Sequence, residues 1–300
     1  MKDTFEIPLP EGYDITDILN FHGRDTLNVA EQVSRSRIRK GIFLADVPTV
    51  IDIEFDEKLT CAYGSIHADG ELNTELHDRA HEVCLSILGL RLAPEDFLAF
   101  AAKDPVFGPL IKRQHGLRVV QSASIFEALT WAVIGQQINV AFAITLRRTF
   151  IQQAGRQHSS GLWCYPAAAD AAKISVEQLT SRQFSKSKAE TLLRLANLVA
   201  TSELNLVVSN SNTLAKITEA LLSVKGIGPW TVNYALLRGY AHADCPLHGD
   251  VAVRTAIHKL IGGDVRPDIA AAEQFLKRYS PHRTMAAAHL WASLNKQKSF

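Results

Sequence analysis

The sequence predicts an α+β N-terminal domain with an antiparallel sheet over residues 1–90, followed by a mostly α-helical domain over residues 91–300. Three observations predict it. Ile51, Ile53 and Phe55 alternate with Asp52 and Glu54, the period-two pattern of a strand with one apolar face. After Arg91 the texture changes to long stretches with helical apolar spacing and few alternating β-branched runs. Charge divides along the chain as well: residues 1–110 hold 10 basic and 20 acidic side chains, net −10, whereas residues 111–300 hold 22 and 11, net +11.

The first part reads in order as a strand at 4–8, a proline-led short helix pattern at 10–21, strands at 41–46, 48–55 and 58–68, and helical spacing at 71–89. In the second part, Pro94-Glu95-Asp96-Phe97 has the form of a helix start. Apolar helical periodicity then runs through 125–150, 176–179, 189–200, 214–222, 229–238, 250–260 and 284–294. Residues 154–171, rich in Gly, Ser and Pro, read as a longer loop.

Composition narrows the function classes. At 47% hydrophobic and 21% charged, the 300-residue chain has the makeup of a folded protein. Its longest apolar runs, such as 85–90, are too short to cross a bilayer, so no membrane partner is expected. The opening MKDTFEIPLPEG has no apolar stretch after its lysine, which argues against a secretory leader. Cys61, Cys84, Cys164 and Cys245 are scattered, without metal-binding or disulfide-framework spacing. A reducing, cytoplasmic, nucleoid-associated setting is the expectation, with the basic segment facing a polyanion.

The sharpest local signal is LLSVKGIGPWTVNYALLRG at 221–239. Leu221, Leu222 and Val224 close one helix, and Lys225, Gly226, Ile227 and Gly228 form a tight turn. Pro229 opens the next helix at its first turn, where a missing N–H costs nothing. Glycines on either side of Ile227 leave backbone amides free near a helix N-terminus, a ready site for one phosphate. Downstream, His248-Gly249-Asp250-Val251 places a carboxylate at the start of another helix. Asp250 suits an ordinary helix N-cap there, and equally a carboxylate aimed into a cleft.

These stretches, with 125–141 (IFEALTWAVIGQQINVA) and 280–291 (SPHRTMAAAHLW), resemble the helix-hairpin-helix DNA glycosylase superfamily, the hairpin spanning about 214–239. The chain is similar over nearly its whole length to bacterial 3-methyladenine DNA glycosylase II, the inducible alkylpurine glycosylase. The resemblance implies Asp250 as the catalytic carboxylate and Trp230, Tyr234 and Trp291 as walls of the base pocket. Trp230 and Tyr234, spaced i, i+4, share one helix face. Trp230 also stands where lyase members carry a catalytic lysine. That implies a monofunctional enzyme that removes alkylated purines such as 3-methyladenine and 7-methylguanine from double-stranded DNA and leaves an abasic site. The loop Gln136, Gln137, Ile138 matches the segment that fills the gap left by a flipped base. Gln137 stands where an apolar wedge is expected, so the inserting side chain is Gln137 or Ile138.

No cofactor is required on this reading. With Cys245 the only cysteine after Cys164, an iron–sulfur cluster has no ligands. The resemblance implies a structural monovalent cation, Na or K, held by the backbone carbonyls of Leu222, Val224 and Ile227, and a monomer acting on DNA. Two other readings stay open: a helix-hairpin-helix glycosylase for another lesion, and a non-catalytic protein that binds DNA structure.

Overall fold

The computed structural model describes residues 3–71 and 73–294, so position 72 of the helical spacing at 71–89 and residues 295–300 of the C-terminal part lie outside it. Five strands form one antiparallel sheet: β1 (Asp3–Pro8), β2 (Glu31–Val33), β3 (Arg37–Leu44), β4 (Val47–Phe55) and β5 (Cys61–Ala68), in the order β1-β5-β4-β3-β2. Helices α1 (Thr16–His22) and α2 (Thr74–Ile87) belong to the same part. Ile7, Ile18, Ile38, Ile51, Ile53, Ile87 and Leu88 make its core. The alternation at 51–55 is real, but Asp52 is buried too, because Arg37 grips its carboxylate with Nε at 2.7 Å and Arg39 lies at 3.4 Å. Strand β3 begins at Arg37, four residues before the apolar stretch at 41–46. Its charged first half is stabilised by partners across the sheet rather than by hydrophobicity.

The helical part follows as α3 (Glu95–Ala101), α4 (Gly108–Arg113), α5 (Ile125–Gly135) and α6 (Val140–Ala154). Next come a two-residue hairpin, β6 (Arg156–Gln157) with β7 (Trp163–Cys164), and helices α7 (Ala168–Ala171), α8 (Val176–Thr180) and α9 (Lys186–Ala200). Helices α10 (Leu214–Ser223), α11 (Pro229–Tyr240), α12 (Val251–Ile261), α13 (Ile269–Lys277) and α14 (Arg283–Leu294) complete it, with a single 3-10 turn at Leu247–Gly249. Side-chain caps start most of the longer helices: Ser124, Asn139, Ser185, Thr213 and Asp268 each accept an amide from the first turn. The periodic run at 125–150 is two helices, because Asn139 caps the second after a turn at 136–139.

Residues 154–171 are more ordered than a plain loop. The β6–β7 hairpin docks on the sheet: the Trp163 amide donates to Val29 O at 3.0 Å and the Tyr165 amide to Gly41 O at 3.1 Å. Gly41 permits this approach, since a Cβ there would lie 2.1 Å from Trp163 O. The helical core also takes in Val29 and Ala30 from the first part, and Val120 packs back into the sheet core.

A buried charge network ties the two parts together. Lys40 Nζ lies 2.6 Å from Glu31 Oε1 and 2.8 Å from Glu127 Oε1, and Arg147 reaches both carboxylates at 2.9 Å. Burial alone would raise both carboxyls, but Arg147 and Lys40 hold Glu31 well below the usual range, and Lys40 and Arg147 lower Glu127. Burial keeps the adjacent His22 imidazole below its ordinary value.

Candidate active site

Helices α10 and α11 meet at the turn 224–228. Ile227 is buried and donates its amide to Val224 O at 3.0 Å, pinning the turn to the core. Gly226 adopts φ +96°, and a Cβ there would sit 2.1 Å from Thr191 Oγ1, so no other residue fits without movement. Arg194 Nη1 donates to Lys225 O at 3.1 Å and Gln136 Nε2 to Gly226 O at 3.0 Å, while the Lys225 side chain is exposed. Among the described residues, the amides of Gly226 and Gly228 donate to nothing and remain free for an anion. Of the three carbonyls expected at a cation, Val224 O already accepts the Ile227 amide, and Leu222 is exposed.

Asp250 does two jobs at once. Its Oδ1 caps α12 by accepting the Val253 amide at 2.8 Å. The same oxygen accepts Trp291 Nε1 at 3.1 Å, and Oδ2 accepts Trp230 Nε1 at 2.8 Å. Two indoles therefore fix both oxygens, yet the residue is 9% exposed and lines an open cleft of 2290 Å³.

Around this cleft the contacts close into a ring. Trp230 lies 5.4 Å from Tyr234 between ring centres, and the Tyr234 hydroxyl accepts Trp131 Nε1 at 2.8 Å. The Arg24 guanidinium carbon is 4.9 Å from the Trp131 ring and 3.8 Å from Phe21. Arg238 lies 4.7 Å from Phe21 and 5.5 Å from Trp291, which returns to Asp250. The structure thus brings Asp250, Trp230, Tyr234 and Trp291 together. It adds Phe21, Arg24, Trp131 and Arg238, which sequence reasoning missed. Trp131 lies inside the stretch quoted for the resemblance, but nothing in the spacing marks it. Phe21 and Arg24 come from the N-terminal part, where no local pattern points to a distant cleft.

The turn 136–139 borders the same cleft. Gln136 is a tether: its Nε2 also donates to Thr231 Oγ1 at 2.8 Å, and Lys188 Nζ donates to its carbonyl at 2.5 Å. Gln137 is exposed at φ +57°, and Ile138 is half-buried against the helical core. Among the described residues, no group of three or more His, Cys, Asp or Glu could hold a metal ion. Burial pushes the thiols of Cys164 and Cys245 up to about 11 and about 12, so neither is poised as a nucleophile.

The hairpin, the capped carboxylate and the aromatic cleft on this two-part frame are similar in arrangement to the helix-hairpin-helix class of DNA glycosylases. No protein-family model matches the chain. The relatives it is similar to include DNA-3-methyladenine glycosylases. It is 24% identical over 241 residues to a DNA-3-methyladenine glycosylase of Bacillus subtilis, covering 79% of this chain and 80% of that one. It is 28% identical over 185 residues to a putative DNA-3-methyladenine glycosylase of the same organism, 62% of this chain and 64% of that one. In fold it is similar to a 3-methyladenine DNA glycosylase from Archaeoglobus fulgidus, with TM-score 0.81, 21% identity, and 96% and 97% of the two chains covered.

Proposed function

We propose that the protein is a monofunctional DNA glycosylase that hydrolyses the N-glycosidic bond of alkylated purines, 3-methyladenine and 7-methylguanine among them, in duplex DNA. The observation that carries this reading is Asp250: a carboxylate fixed by Trp230 and Trp291 at the wall of an aromatic cleft beside a hairpin with free amides. Lys225 and the amides of Gly226 and Gly228 hold a backbone phosphate without reading sequence. The target nucleotide leaves the stack, and Gln137 or Ile138 fills the gap. The base lies against Trp230, Tyr234 and Trp291, whose π faces favour an electron-poor ring.

The C1′–N bond then breaks, and its electron pair leaves with the base. Asp250 stabilises the positive charge left on the sugar, and water adds its oxygen to C1′ and gives up a proton to the Asp250 carboxylate. An indole cannot form a Schiff base, so Trp230 offers no route to strand cleavage and the abasic site stays intact. A monovalent cation, Na or K, at the carbonyls of Leu222, Val224 and Ile227 would reinforce the hairpin's hold on phosphate. The protein acts as a cytoplasmic, nucleoid-associated monomer on double-stranded DNA.

The test is base release from methylated duplex DNA by wild type and Asp250→Asn. The amide still caps α12. Wild type is expected to free 3-methyladenine and 7-methylguanine without cutting the strand before alkali treatment. The variant is expected to be about 100-fold slower or worse. Equal release by the two proteins would sink Asp250 as the catalytic group.

A further inference from the structure

Two cations line the cleft that the mechanism above does not use. Arg24 donates Nε to Phe21 O at 2.7 Å. Among the described residues its terminal nitrogens make no hydrogen bond, and no carboxylate pairs with it. Its guanidinium instead packs against Phe21 and Trp131. Arg238 donates Nη1 to Val120 O at 2.5 Å, while its Nε is buried with no partner, and it too has no carboxylate partner among the described residues. Elsewhere this molecule pairs its buried cations: Lys40 and Arg147 with Glu31 and Glu127, and Arg148 with Asp25 at 2.8 Å. Both arginines are half-buried on the wall of the open cleft, so their free N–H groups face the space a substrate would enter. Burial brings Arg24 down to about 10, against the opposing pull of Tyr234 and Glu31 and with a smaller push from Arg238 and Arg147. An acceptor on the bound substrate would find these donors ready to pair.

The position of the pair says which acceptor. In the contact ring, Arg24 and Arg238 flank Phe21, while Asp250 sits between Trp230 and Trp291 on the other side of Tyr234 and Trp291. Around the contact ring Arg24 and Phe21 lie across from Asp250, so a base whose sugar faces Asp250 would turn its far edge towards the arginines. On a purine that edge carries the substituent at C6. Guanine-type and hypoxanthine bases present an oxygen there, an acceptor, and adenine-type bases present an amino group, a donor. Guanidinium groups only donate.

We propose that Arg24 and Arg238 form a donor pair that recognises the oxygen at C6, so that the pocket favours 6-oxopurines over 6-aminopurines. This rests on the glycosylase reading and refines its substrate class. When the C1′–N9 bond of hypoxanthine breaks, the electron pair passes into a neutral ring that becomes an anion. The guanidinium pair stabilises the charge carried by O6 until solvent protonates the base, while water bonds to C1′. A cationic alkylated base needs no such help. The same chemistry could be met by a DNA phosphate oxygen, and the test separates the two sources.

Methylated duplex DNA contains 7-methylguanine and 3-methyladenine, both cationic as nucleosides and differing at C6, so one reaction yields an internally controlled ratio. Arg24→Met and Arg238→Met keep an unbranched side chain but remove the guanidinium that packs on the rings. Each is expected to lower the ratio of 7-methylguanine to 3-methyladenine release at least tenfold, and to slow hypoxanthine release from an inosine duplex by at least as much. Binding to a duplex bearing an abasic analogue, which lacks the base, should stay within twofold and also reports that the variants are folded. An unmoved ratio alongside intact abasic binding overturns the inference. Loss of abasic binding in step with the loss of release assigns the arginines to phosphate and overturns it as well. No base release by wild type defeats the glycosylase reading itself, and this inference with it.

Discussion

Replacing Lys40 with Met should unlock the joint between the sheet and the helices. The Lys40 side chain is 2% exposed and bridges Glu31 and Glu127, which share Arg147 as their other cation. The four charges balance in the native protein. Without the ammonium, two neighbouring buried carboxylates compete for one guanidinium, and the network carries a net negative charge. Removing one partner from a buried ion pair costs about 3–5 kcal/mol. At roughly 2–4 °C per kcal/mol for a chain of this size class, the midpoint of thermal unfolding should fall by about 6–20 °C.

The effect should depend on pH. In the wild type, Glu31 and Glu127 are depressed, so their stabilisation is present above the unfolded carboxylate value and is lost as pH falls through the lower folded one. Without Lys40, one carboxyl takes up a proton more readily in the fold than in the unfolded chain. The deficit is therefore largest above pH 7 and shrinks towards pH 5. Urea or thermal unfolding followed from pH 8 to pH 5 measures this. Equal stability of the two proteins at pH 8, or a gap that stays constant down to pH 5, would refute the reasoning. The network also reaches the candidate site, because Arg24 and Trp131 share a small void with Glu31, Lys40, Glu127 and Arg147.

Three further outcomes are expected. Trp291→Phe keeps an aromatic wall but removes the N–H donated to Asp250 Oδ1 at 3.1 Å, so base release should fall about tenfold while abasic-duplex affinity holds. Gly226→Ala puts a Cβ against Thr191 and forces an alanine to φ +96°, which should cost about 1–3 kcal/mol in urea unfolding and weaken duplex binding; adding Thr191→Ala should recover only the steric share. His289 is fully buried beside Gln114 and held down to about 4, so its contribution is complete above the ordinary imidazole value and lost as pH falls from about 6.5 towards 4; His289→Asn should flatten that limb of the stability profile.

The sequence announces its local features. The turn at Lys225-Gly226-Ile227-Gly228 was legible because a tight turn needs glycine and an apolar pin next to each other. Trp230 and Tyr234 could be placed on one face because helical spacing alone decides it. The position of Asp250 at a helix start was equally readable, because capping is a matter of neighbouring residues. The strand at 51–55 showed through its alternation. The first half of β3 did not, since Arg37, Arg39 and Lys40 look like surface residues until Asp52, Glu31 and Glu127 are found beside them. The ordered β6–β7 hairpin was hidden for the same reason: its hydrogen bonds run to Val29 and Gly41, far away in the chain.

What the sequence determined by itself is therefore the two-part architecture, the hairpin and the helix start that carries Asp250, all set by interactions within a turn or two of the chain. Only the tertiary structure decided that two indoles from different helices grip the same carboxylate, that Gln136 is a tether while Gln137 is left exposed, and that Phe21 and Arg24 of the N-terminal part line a cleft built mostly by helices. The physical reason is that short-range backbone preferences are written in residue order. A hydrogen bond or an ion pair across the core depends on which surfaces meet once both parts have packed.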